Sequence, residues 1–343
     1  MMGDGVLGDA PGWGEDGTLP DERTSERGAP PTATLHHPPP TTHQPSPATL
    51  GDGLRAAGYL AEAGTATIAF LALKLEKPLL VEGPAGVGKT ALGLALAAAL
   101  GRDLIRLQCY DGLDEARALY EWSYGKQLLS TQLLRDVLGR RLADAPDLAT
   151  ALARLDEQGE VDAFFSERFL VPRPLLQAIR SPTPALFLID EVDRADEAFE
   201  ALLLEVLSDY QVTVPELGTL RARHVPVVVL TSNATRDLSD ALKRRCLHVA
   251  LDYPSPDLER EIVRLAVPGI DEALMTALVA AIGRVRALDL RKRPSVGETL
   301  DWARALRALG ATALDAPTIA STTGVVTKYA SDAIAVRRAL VET

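Results

Sequence analysis

The sequence predicts an α/β fold, a parallel sheet with helices on both faces, followed by a smaller all-α region. Three observations predict it. The strand-like run Pro78-Leu79-Leu80-Val81 leads through a glycine-rich loop into an Ala/Leu-rich helix ending near Leu100; strand, tight loop and helix in that order build an open α/β sheet. Two further runs, Ala185–Ile189 and Val225–Leu230, are apolar throughout. Strands buried on both faces read this way, and strands so covered pair in parallel. From Tyr253 onward the apolar residues keep helical spacing, with no strand-like run of comparable length.

Bulk composition narrows the function. A chain of 343 residues with 47% hydrophobic content can bury a sizeable core, and a net charge of −11 argues against a broad nucleic-acid footprint. The two cysteines, Cys109 and Cys246, are far apart and form no metal pattern; they suit a reducing cytosol and a cytoplasmic location. No apolar run is long enough to span a bilayer, and the start lacks the basic and apolar regions of a signal peptide.

Taken in order, residues 1–50 read as a disordered, Pro-rich tail, with too few large apolar side chains to offset chain entropy. His36, His37 and His43 lack accompanying ligands and read as solvated. Residues 51–252 form the predicted core, opening with one or two amphipathic helices before Leu75. The stretch Gly83-Pro84-Ala85-Gly86-Val87-Gly88-Lys89-Thr90 fits G-x-x-x-x-G-K-[ST], and Ala91 continues its helix. Glycines let backbone N–H groups approach phosphate oxygens, and the helix N-terminus favours their charge. Lys89 would reach the β- and γ-phosphates, with Thr90 on Mg²⁺. A second strand is expected at Asp103–Gln108, then a helix over Asp111–Leu129 unusually rich in aromatics (Tyr110, Tyr120, Trp122, Tyr124), and a charged helix over Arg135–Gln158.

The third strand ends in Asp190-Glu191. One acid there is explained by the start of a helix; two at the end of an apolar strand downstream of the glycine loop point to Asp190 on Mg²⁺ and Glu191 as the base for an attacking water. A helix from Glu197 to Tyr210 and a hairpin across Pro215–Gly218 follow. The fourth strand ends in Thr231-Ser232-Asn233, where Asn233 either orients the water or caps a turn. Arg244 and Arg245 end a short helix before the fifth strand, Leu247–Leu251; they are either dipole partners or an arginine finger. Residues 253–343 form the predicted helical lid and C-terminal helices, with helices at Asp257–Leu265, Glu272–Leu288, Ser295–Leu309 and Ser331–Val341.

Glycine loop, acid pair, amide and arginines on successive strands resemble the AAA+ ATPases over roughly Gly51–Leu309. Within that class Val81–Thr90, Asp114–Leu128, Phe169–Gln177, Leu188–Ala195, Val214–Asn233 and Pro294–Leu306 resemble the MoxR family. Tyr-Glu-Trp at 120–122 and Glu-Thr-Leu-Asp-Trp-Ala at 298–303 resemble the branch that matures carbon monoxide dehydrogenase-type molybdenum enzymes. The resemblance implies an ATP- and Mg²⁺-dependent, chaperone-like hydrolase, a hexameric ring, a client protein complex and a partner with a von Willebrand factor A domain. It matches Asn233 to sensor 1, Arg245 to the arginine finger with Arg244 in reserve, Gln211–Arg223 to the pre-sensor-1 hairpin, and Asp114–Leu134 to the axial insertion of the second helix. The family's sensor 2 arginine follows the proline that opens a lid helix; here Ser295 follows Pro294, and Arg293, which precedes it, is the candidate. A DNA-linked AAA+ motor and a nucleotide-gated scaffold are the competing functions. The first shares every nucleotide motif, but the acidic balance and lack of a clear basic stripe in this chain count against it, and the second is disfavoured by the intact acid pair.

Overall fold

The computed structural model describes residues 46–142, 146, 147, 149, 150, 153, 166–215 and 217–341. The expected tail therefore lies almost wholly outside the described residues, as does most of the charged stretch beyond Leu142. The first helix, α1 (Pro47–Ala56), begins inside the predicted tail. Ser46 supplies the reason: its hydroxyl accepts from Thr49 N and Thr49 returns a bond to the Ser46 backbone, with Pro47 preorganised in the first turn. Helix α2 (Ala63–Lys74) follows.

Five strands form one parallel sheet: β1 (Leu79–Glu82), β2 (Asp103–Gln108), β5 (Ala185–Asp190), β8 (Val227–Ser232) and β9 (Leu247–Ala250), in the spatial order β2-β5-β8-β1-β9. The register sets Leu188 beside Val229, and Val81 beside both Thr231 and Val249. Every residue of β5 is buried. Its alternation divides the two faces. Leu186 and Leu188 pack with α1, α2 and α3 (Lys89–Leu100), while Phe187 and Ile189 pack with α6 (Pro174–Arg180) and α7 (Glu197–Asp209).

The stretch expected to be one helix over Asp111–Leu129 is interrupted. A single turn, α4 (Glu115–Ala118), gives way to strand β3 (Tyr120–Trp122), and α5 (Tyr124–Leu142) starts after it. β3 pairs antiparallel with β4 (Leu170–Pro172), Trp122 opposite Leu170. Aromatic residues favour a pleated, half-buried surface, and here they find a partner strand 50 residues away that no local pattern reveals. The rings of Tyr120 and Trp122 meet edge to face at 5.9 Å. The second hairpin is as expected, β6 (Gln211–Val214) against β7 (Gly218–Arg221). Helix α8 (Asp240–Arg245) precedes β9.

Beyond β9 the described elements are all helices: α9 (Pro256–Ala266), α10 (Glu272–Arg286), α11 (Val296–Ala308), α12 (Ala316–Val326) and α13 (Ala330–Val341). They enclose their own apolar cluster around Met275, Ile282, Trp302 and Val336. Helix α12 was not expected; its Ser, Thr and Val content is poor in helix formers, and it is nucleated by the Asp315 cap with Pro317 in the first turn. Through the lid runs a buried ion pair. Arg286 grips Glu259 with two 2.7 Å bonds, donates to Pro294 O and Thr299, and stacks 4.5 Å over the Tyr253 ring. Among the described residues no helix is long and apolar enough to cross a membrane.

Candidate functional site

The site gathers where the carboxyl ends of β1, β5 and β8 meet, because parallel strands deliver their last residues to one edge. Between β1 and α3 the glycine loop closes over Lys89. Gly88 is the N-cap of α3 at φ +101°, and no side chain caps the helix. Its first amides are thus left to an outside acceptor, an anion site by construction. Gly86, at φ +78°, shows a second requirement: a Cβ there would lie 2.2 Å from Ser295 Cβ. Val296 N donates to Gly86 O at 3.1 Å, so the start of lid helix α11 rests directly on the loop.

Lys89 is buried, and its three N–H groups are all used: Nζ donates to Gly83 O (2.7 Å), Pro84 O (2.7 Å) and Asn233 Oδ1 (2.8 Å). Burial holds its pKa below the ordinary lysine value, against the pull of Asp193, Asp190 and Glu191. Thr90 Oγ1 donates to both oxygens of Asp190, at 2.8 and 3.1 Å. Asp190 is buried and also accepts from Thr231 Oγ1 and from Arg106 Nη2 of β2, each at 2.5 Å. Glu191 takes the left-handed conformation, φ 56° and ψ 50°, which turns its carboxylate away from that of Asp190. It lies 3.5 Å from Arg194, in turn 3.7 Å from Asp111.

Sequence reasoning missed Asp193. It is buried and accepts from Asn233 N (3.1 Å), Thr235 N (3.0 Å) and Thr235 Oγ1 (2.5 Å), clamping the loop that carries Asn233. Burial alone would raise its pKa; the bonds from Thr235 and Asn233 prevail and hold it below the usual carboxylate value. The only sequence signal was a third acid in Asp190-Glu191-Val192-Asp193, with nothing to say which way it faced.

Beside the loop opens a cavity of about 290 Å³ between core and lid, walled by Tyr59, Val87, Leu251, Tyr253, Val296 and Leu300 among others. Gly88 and Ala91 line it too. The Tyr59 hydroxyl is pushed up to about 12 by burial and by Glu62, so it stays neutral. The remaining predicted residues stand apart. Arg293 is exposed, makes no hydrogen bond or ion pair with the described residues, and is absent from the cavity wall; Ser295 occupies the contact with the loop instead. Arg245 donates to Leu204 O of its own chain, whereas Arg244 is exposed and without a partner among the described residues. Both cysteine thiols are buried and pushed up to about 12 by that burial, unreactive at neutral pH.

The donor set is that of a phosphate-handling site. The model of the AAA ATPase domain family matches residues 69–215. Protein NorQ of Paracoccus denitrificans is 24% identical over 248 residues, 70% of this chain and 76% of that protein. Protein CbbQ of Hydrogenophilus thermoluteolus is 25% identical over 219 residues, 62% of this chain and 66% of that one. Among solved structures, the Thermotoga maritima RuvB Holliday junction branch migration motor aligns at a TM-score of 0.40 and 16% identity, over 75% of this chain and 66% of that one. Domain match and site together define an ATPase of the AAA+ class. The likeness to NorQ and CbbQ, taken with the domain match, supports a MoxR-like AAA+ ATPase.

Proposed function

We propose that the chain hydrolyses ATP at the glycine loop and spends each turnover reshaping a client protein complex, within a ring of identical subunits. The observation that carries the reading is the convergence of Lys89, Thr90, Asp190, Glu191 and Asn233, contributed by three strand ends and linked by 2.8 Å bonds from Lys89 to Asn233 and from Thr90 to Asp190. We assign the nucleotide-binding core to residues 51–252 and the lid to 253–343.

The residues fit a magnesium triphosphate. Uncapped amides of α3 and the loop from Gly83 to Gly88 receive phosphate oxygens, and Lys89 turns from the loop carbonyls toward the β- and γ-phosphates. Thr90 and Asp190 would hold Mg²⁺, which, when bound, neutralises charge on the phosphoryl oxygens. The apolar cavity at Tyr59, Val87 and Tyr253 suits a nucleobase, and its size is at the lower end for a ligand pocket. Glu191 accepts a proton from water as the water oxygen attacks the γ-phosphorus; the bond to the β-γ bridging oxygen breaks and ADP leaves. Asn233 orients the attacked group, held in place by Asp193.

An arginine from a neighbouring subunit completes the charge balance in this reading. Arg244 is the freer of the two candidates, since Arg245 is engaged with Leu204. Turnover at the subunit seam then moves the axial elements, the β3–α5 region and the β6–β7 hairpin, against the client. The sequence stretches at 120–122 and 298–303 support a molybdenum-containing dehydrogenase as that client; the family resemblance supports a von Willebrand factor A domain protein as partner, and the two unpaired cysteines a cytoplasmic location. The test is Glu191→Gln: it is expected to bind ATP like the parent while phosphate release falls on the order of 10²-fold or more. Unchanged release would remove Glu191 as the base.

A further inference from the structure

Thr231 sits one residue from the end of a strand that is otherwise apolar through Val227, Val228, Val229 and Leu230. It is 1% exposed. A valine would continue the run and fill the same space, so the hydroxyl is what distinguishes the position. A buried hydroxyl is unfavourable unless its bonds are made. Here both capacities are used, and both on the acid pair: Oγ1 donates to Asp190 Oδ1 at 2.5 Å and accepts from the Glu191 backbone N at 2.9 Å.

The second bond falls on a strained residue. Glu191 has φ 56°, and a non-glycine residue held in a sparsely populated region is strained and persists only where surrounding contacts dictate it. That turn separates the two carboxylates. Asp190 faces Thr90, and Glu191 faces outward toward Arg194. The register places Thr231 beside Val81 of β1, in the strand between the acid pair and the glycine loop. One hydroxyl therefore fixes the direction of one carboxylate and the backbone turn that aims the other.

We propose that Thr231 is a positioning residue for hydrolysis, setting the relative orientation of Asp190 and Glu191 without touching the nucleotide. The proposal rests on the reading of Glu191 as base and Asp190 as magnesium ligand. Displacing such groups by about 1 Å costs on the order of 10²-fold in rate, while the Thr231 hydroxyl bonds the acid pair and not the loop or Lys89, which grip the phosphates.

The experiment uses the full chain with ATP, a fluorescent ATP analogue and a magnesium titration. Thr231→Val is expected to lower kcat by about 30- to 100-fold, to raise the magnesium concentration for half-maximal rate several-fold, and to leave analogue affinity within about threefold. Thr231→Ser restores both bonds and is expected to recover kcat to within about threefold. Thr231→Cys, a weaker donor and acceptor, falls between them, and the order Ser above Cys decides the matter should the valine variant fail to fold. A merely structural role would shift the melting temperature and leave kcat alone. A valine variant at parental kcat, a kcat loss that tracks analogue affinity, or serine and cysteine variants of equal rate each overturn the proposal. Glu191→Gln run alongside separates the claims. Parental hydrolysis there removes the base, and the role of Thr231 with it; an inactive Gln variant beside a fully active Val variant overturns Thr231 alone.

Discussion

Gly86→Ala probes the contact between loop and lid. The new Cβ would stand 2.2 Å from Ser295 Cβ and 2.9 Å from its Oγ, on a residue with φ +78°. The left-handed conformation costs an alanine about 1–2 kcal/mol. Forcing one further carbon into a packed contact costs about 1–3 kcal/mol. Together that is roughly 2–5 kcal/mol, relieved either by moving the loop or by lifting α11 and losing the Val296-to-Gly86 bond. Both routes disturb the phosphate cradle, so the whole sum is available to weaken nucleotide binding; at 1.4 kcal/mol per tenfold, affinity for an ATP analogue should fall about 30-fold to above a thousandfold. Equilibrium fluorescence titration measures it. Adding Ser295→Gly removes the clashing carbon while keeping the backbone penalty, and a glycine N-cap costs only a few tenths of a kcal/mol. The double variant should therefore recover the packing share, about 5- to 150-fold. A double variant no tighter than Gly86→Ala would refute the reasoning, because the lid would then not be what the glycine makes room for.

Three other outcomes are expected. Arg244→Ala should reduce turnover on the order of 10³-fold, with nucleotide affinity intact and parental activity rising more steeply than linearly with protein concentration, whereas Arg245→Ala should chiefly lower the melting temperature; steady-state rates across a dilution series separate them. Glu259→Gln leaves Arg286 buried and without its counter-charge, the pair being 3% and 10% exposed, and should cost roughly 3–5 kcal/mol in urea unfolding followed by tryptophan fluorescence, buried Trp302 being the reporter in the lid. Asp193, held below its usual value by Thr235 and Asn233, contributes stability that is complete above the unfolded pKa of about 3.9 and is lost as pH falls through the lower folded value. Melting temperatures taken from pH 6 to pH 2 should drop less steeply for Asp193→Asn than for the parent.

What the sequence revealed follows a physical division. The glycine loop, the acid pair and the apolar strands were legible because each is contiguous, and a parallel strand carries its function at its own end. Helices α9, α10 and α11 were legible from spacing and caps. Three kinds of feature were not. The strand Tyr120–Trp122 depends on a partner near residue 171 and looked helical in isolation. Helix α12 is made of weak helix formers and is stabilised by packing of Ile319 and Val326 into the lid. The network of Thr231, Asp193 and Asn233 ties residues about 40 apart, and a threonine in a buried strand reads as any β-former until its hydroxyl is seen to face a carboxylate. Arg293 was only a candidate, since it precedes Pro294 instead of following it, and the chain brings Ser295 to the loop.

The Arg286 guanidinium also ties separate parts of the lid together. One side chain touches the cavity wall at Tyr253, the first lid helix at Glu259, and the entry to α11 at Pro294 and Thr299. A cross-brace of this kind leaves little slack between those parts. A base pressing on that wall would therefore meet Tyr253, α9 and the entry to α11 as one stiff unit rather than three loose parts.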